Sequence, residues 1–164
     1  MLAGAGKNAF WLLDWSPQPN GTLRGDHITR YAELGDWLRE CYSTPTAEST
    51  TLSGGRTMTF TVPHGKAVDR VVIKEDLTTG QRVRSFTVTA KLASSDAHPN
   101  QSTGIQVQTV ANGTSIGNKF IALLDRAYPA GTTLTLSIDH AVGAPAMTSF
   151  GGAKKKIGFW SNMI

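Results

Sequence analysis

A single cysteine, Cys41, among 164 residues excludes an internal disulfide and any zinc site built from cysteines. The four histidines, His27, His64, His98 and His140, lie too far apart for a zinc-binding helix or finger, so no metal and no cofactor is expected. No apolar run approaches the length that spans a bilayer, and no cationic segment precedes the short apolar run near Phe10. Neither a membrane anchor nor a signal peptide is legible in these residues. The formal net charge of +4 and the pI near 9.4 invite a nucleic-acid partner. The basic residues are scattered, however, and are not interleaved with aromatics on one element, so that partner is not expected. Their tightest cluster, Lys154-Lys155-Lys156, sits between glycines and reads as a solvated tail.

What is present begins with Phe10 to Leu13, an apolar run of strand length closed by the turn signal Pro17-Gln18-Pro19-Asn20-Gly21. A helical pattern follows from Asp26 to Tyr42, with Asp26 as its expected N-cap and Ile28, Tyr31, Gly35 and Leu38 on one face. Strand, loop and helix in that order make one β/α unit of a parallel sheet, which needs other such units to cover its faces. None is visible downstream, so residues 1–43 read as the last unit of a larger α/β domain. Residues 44–56, rich in Thr, Ser, Pro and Gly, read as a linker. From 57 to 164 period-two alternation takes over. Met58, Phe60 and Val62 share one face, as do Phe86, Val88, Ala90 and Leu92, and then Leu134, Leu136 and Ile138. Strands that hide one face and wet the other predict an antiparallel sandwich. Turns are expected at Thr79-Gly80, His98-Pro99-Asn100, Asn112-Gly113, Pro129-Ala130-Gly131 and Gly143-Ala144-Pro145.

Lys7-Asn8, Leu12-Leu13, Pro17 and Asn20-Gly21 match, in order, the last barrel strand and loop of the α-L-fucosidase family of glycoside hydrolases. Tyr31 to Leu38, with Leu34-Gly35-Asp36-Trp37, resembles the helix that follows there. Asp69 to Leu77, Gly80 to Val88, Gly113 to Ile121 and Pro145 to Gly151 resemble that family's C-terminal β-sandwich. The resemblance implies a mainly β chain: a discoidin-like or jelly-roll antiparallel sandwich preceded by one β/α unit of an incomplete (β/α) barrel. It implies fucosylated glycans as substrates of the parent enzyme, a missing barrel or a second copy as partner, and a lysosomal or extracellular location. The sequence departs from the family at Asp14 and Trp15, where the family has Asn and a small or branched residue.

A retaining glycosidase uses one carboxylate as nucleophile and a second group as acid and base. The resemblance puts both upstream of the opening strand, so no residue here is expected to be catalytic. Asp14, at the carboxyl end of a barrel strand, either borders the sugar pocket or anchors its loop by bonding backbone amides. Trp15 and Trp160 are candidates for stacking on a sugar, whereas Trp11 and Trp37 read as core. Glu75 and Asp76, as strand neighbours, point to opposite faces and are expected to make surface ion pairs with Lys74, Arg82 or Arg84. Asn20, Asn100 and Asn112 open N-glycosylation sequons, meaningful in a secreted parent. Two readings stand: the C-terminal portion of an α-L-fucosidase, bracing its barrel, or a stand-alone module binding glycans or proteins. The second needs an exposed aromatic, and Tyr128 beside Pro129 is its loop candidate.

Overall fold

Alternating apolar residues form strands here because each can be buried from one side. In the computed structural model, which describes residues 14–42, 44–92 and 107–154, they do so in eight strands after one helix. Helix α1 spans Gly25–Tyr42; the strands are β1 Ala47–Ser49, β2 Thr57–Thr61, β3 Ala67–Glu75, β4 Val83–Lys91, β5 Val107–Gly113, β6 Phe120–Pro129, β7 Thr133–Ala141 and β8 Met147–Ala153. The run Phe10 to Leu13, with Trp11, Asn100 and Trp160, lies outside the described residues.

The strands make two antiparallel sheets, ordered β1-β8-β3-β6 and β2-β7-β4-β5. Every chain-consecutive pair except β4–β5 crosses from one sheet to the other, which is the double Greek key of a jelly roll. The chain is thus mainly β, as the alternation predicts. Met58, Val62, Val88, Leu134, Leu136 and Ile138 are at most 1% exposed, and Phe60 meets Phe150 across the sandwich at 4.8 Å between ring centres. Two glycines admit this packing. A Cβ on Gly152 would lie 2.7 Å from Val68 Cγ1 and 2.8 Å from Phe60 Cζ, and one on Gly113 would lie 2.7 Å from Phe86 Cε1.

Several expectations are corrected. The stretch read as a linker contains β1, whose Ala47, Glu48 and Ser49 pair with Gly152, Gly151 and Phe150. Thr and Ser suit a short edge strand as well as a linker, and three residues are too few to alternate visibly. Asn112-Gly113 is no turn but the end of β5, held in register against Thr87 and Phe86. Asp26 is not the cap: α1 begins at Gly25, the Ile28 amide donates to the Arg24 carbonyl at 3.1 Å, and Asp26 lies in the first turn, paired with Arg24 at 3.0 Å. The turn at Pro129-Ala130-Gly131 forms as expected, with the Thr132 amide on the Pro129 carbonyl at 3.2 Å and Gly131 at φ 83°.

Candidate functional site

The loop from Asp14 to Arg24 and the start of α1 hold the residues nearest to a sugar-site expectation. Gln18 and Thr22 close the loop by a backbone bond of 2.8 Å, and Asn20 Oδ1 accepts from the Thr22 amide at 3.1 Å and from its hydroxyl at 2.8 Å. Asn20 is exposed. Trp15 is half-buried because α1 presents His27 and Tyr31 four residues apart on one face. The indole centre lies 4.1 Å from the His27 ring and 5.6 Å from the Tyr31 ring. Trp15 Nε1 and His27 Nδ1 are buried without a hydrogen-bond partner among the described residues. The structure therefore brings Trp15 to His27 and Tyr31, a cluster that the i, i+4 spacing signals and the sequence reading missed. Asp14 is exposed beside it.

Glu75 is not the surface residue expected. It is 4% exposed; its Oε1 accepts from the amides of Arg82 at 2.6 Å and Val83 at 2.9 Å, and its Oε2 from that of Gly117 at 3.0 Å. This carboxylate ties the end of β3 to the start of β4 and to the loop before β6. Asp76 turns the other way, and its Oδ1 accepts from the Thr78 amide at 2.9 Å, which holds its carboxyl below the usual range. With one carboxylate buried on three amides and the other half-buried ahead of the turn on the opposite side, the pair cannot flank one glycosidic bond.

Tyr128 is likewise no loop residue. It is fully buried in β6, its hydroxyl donates to Asp125 Oδ1 at 3.0 Å, and Arg126 lies 5.1 Å from its ring centre. Burial, followed by the bond to Asp125, raises its phenol above the ordinary tyrosine range. Phe60, Phe86 and Phe120 are at most 6% exposed, so among the described residues no aromatic from β2 to β7 offers a face to a sugar. The outer face of the second sheet carries hydroxyls instead, with Thr59 against Thr135 at 3.2 Å and Thr61 against Thr133 at 3.1 Å. Asn112 is exposed on β5.

Two hollows flank β8, one of about 110 Å³ between Tyr42, Glu48, Lys74 and Ser149 and one of about 250 Å³ between Thr44, Lys66 and Lys154. Both fall below the roughly 300–1,000 Å³ of ordinary ligand pockets. Among the described residues no group of three or more His, Cys, Asp or Glu is placed to hold a metal, and no helix is long and apolar enough to cross a membrane.

This arrangement, a jelly roll preceded by a loop and helix, recurs in solved glycosidases. A candidate α-L-fucosidase from Bacteroides thetaiotaomicron is 25% identical, with a TM-score of 0.76 over 93% of this chain and 32% of its own. The likeness is to the C-terminal part of α-L-fucosidases. A glycoside hydrolase family 29 member from an unknown rumen bacterium aligns over 99% of this chain and 28% of its own at a TM-score of 0.75 and 19% identity. A family 29 fucosidase from Ruminococcus gnavus, solved with fucose, aligns over 95% and 35% at 0.71 and 17%. At those two identities the likeness is one of fold. The chain spans about a third of the length of the fucosidase structures it matches. No protein-family model and no curated protein sequence matches it.

Proposed function

We propose that this chain is the C-terminal portion of a retaining α-L-fucosidase, and that its role is to complete and brace a catalytic (β/α) barrel. The carrying observation is the alignment of 93% of this chain with 32% of a candidate fucosidase, helix and sandwich together. Residues 1–43 would then be the barrel's last strand, loop and helix, and 57–164 the sandwich that supports it. Trp15 Nε1 and His27 Nδ1, buried without a partner among the described residues, and Ile28, 54% exposed on α1, fit a segment that packs against further protein. The parent enzyme would act on fucosylated glycans in a lysosome or outside the cell, where the sequons at Asn20, Asn100 and Asn112 are glycosylation sites. Both catalytic groups would come from the rest of the barrel, with Asp14 and Trp15 near the substrate at most.

The stand-alone binding module is the weaker reading, because burial of Tyr128 removes its aromatic platform. The test has two arms. The isolated chain should not hydrolyse a chromogenic aryl α-L-fucoside, whereas the protein encoded by this reading frame extended upstream of Met1 should. Unrelated upstream sequence, or an extended protein without turnover, would overturn the proposal.

A further inference from the structure

The outer face of the β1-β8-β3-β6 sheet holds a buried cation. Arg70, on β3, is 4% exposed although it points away from the sandwich core, opposite to its neighbour Val71. Its Nε donates to Asp69 Oδ1 at 2.7 Å, and its Nη1 donates to the Tyr42 hydroxyl at 3.1 Å. The guanidinium carbon also lies 5.7 Å from the centre of the Tyr42 ring. Tyr42 is the last residue of α1, and its ring meets that of Trp37, one and a half turns earlier, at 5.8 Å and 85°.

We propose that Arg70 is the joint that fixes the orientation of α1 against the sandwich, with Tyr42 as its socket and Asp69 as its counter-ion. Arginine suits the task because a planar guanidinium donates along two directions while lying against a ring, which a lysine ammonium cannot do. Its charge also sits at the C-terminal, negative end of the helix dipole. Burial opposes the charge, and the hydrogen bond and charge of Asp69, aided by Tyr42, outweigh it, so the guanidinium is held above the ordinary arginine range. If the fucosidase reading holds, the same joint sets the sandwich against the barrel; the joint itself does not depend on that reading.

The test is a distance distribution by pulsed electron paramagnetic resonance on the full chain. Spin labels are placed at Ala32→Cys on α1 and Thr148→Cys on β8, with Cys41→Ser so that they attach nowhere else. The parent should give one narrow distribution. Arg70→Met should broaden it at least about twofold, and Tyr42→Phe, which keeps the ring and loses the hydroxyl, by less. Amide spectra of β2 to β8 report whether the sandwich stays folded. Should Arg70→Met unfold it, Tyr42→Leu decides, because that change empties the socket from the helix side and leaves β3 intact. A broad parent distribution, or one that Tyr42→Leu leaves unchanged, would overturn the joint. Fucoside hydrolysis plays no part in this readout, so its failure is distinct from failure of the functional reading.

Discussion

The sandwich and the segment from Asp14 to Tyr42 differ in whether they bury a core. In the sandwich Leu134 and Leu136 are fully buried, and the buried carboxylate of Glu75 has backbone donors on both oxygens. In the segment no described residue is buried and Ile28 is 54% exposed, whereas exposed apolar side chains and buried polar atoms without a partner among the described residues occur in both parts, Leu123 and Thr132 Oγ1 in the sandwich among them. Two packed sheets bury a core between them, whereas one loop and one helix have no second layer to bury one against. The comparison teaches that this chain holds one unit with a buried core of its own and one without, with Arg70 between them.

The largest effect that would sharpen this contrast is a core truncation. Leu136→Ala should cost about 2–5 kcal/mol in urea unfolding followed by far-ultraviolet circular dichroism. Ile28→Ala, on the exposed helix face, should stay within about 0.5 kcal/mol of the parent. Equal losses would erase the distinction. Next comes Glu75→Ala, which strips three amides of their acceptor; at about 1–3 kcal/mol for each buried group left unpaired, and with water reaching the part-buried Arg82 amide, a loss of about 2–4 kcal/mol is expected. Glu75→Gln keeps an acceptor oxygen and should recover about half of it. A loss under about 0.5 kcal/mol for Glu75→Ala would mean that the loops hold without the carboxylate.

How far the sequence disclosed this depends on the range of the interaction concerned. Met58, Phe60 and Val62, or Leu134, Leu136 and Ile138, announce their strands because burial on one face imposes a period of two locally. Glu75 gave no such signal, since its three donors lie 7, 8 and 42 residues away. Gly113 looked like a turn residue after Asn112, yet it is glycine because the Phe86 ring presses on it across the sheet. Tyr128 looked like a loop residue because Pro129 follows; β6 is an edge strand, where a proline is tolerated, and the strand runs through it. Of the candidate site, the turn before Thr22 was legible from Pro and Gly. The packing of Trp15 on His27 and Tyr31 was not, because it joins a loop to a helix face.

Smaller effects probe the seams. Gly152→Ala should destabilise by about 1–3 kcal/mol, because its Cβ meets Val68 and Phe60 inside contact distance. A neutral outcome would mean that the core yields more readily than its packing suggests. The smallest effect is a pH dependence at Tyr128. Burial raises its folded-state phenol, so the folded chain holds that proton more tightly than the unfolded one. The resulting stability is full below the unfolded value of about 10 and is lost as pH rises through the folded value. Above about pH 10 the parent should therefore lose stability more steeply than Tyr128→Phe. Parallel curves would remove Tyr128 from the account of the core.

The most direct measurement of the central contrast is native-state hydrogen exchange across the chain. Amides in the central strands β3, β4, β7 and β8 should exchange only through global unfolding, and those of α1 should exchange at least about a hundredfold faster, a gap of about 2.7 kcal/mol. Protection of α1 equal to that of the strands would contradict the account, because a helix without a buried core would then be as stable as the sandwich.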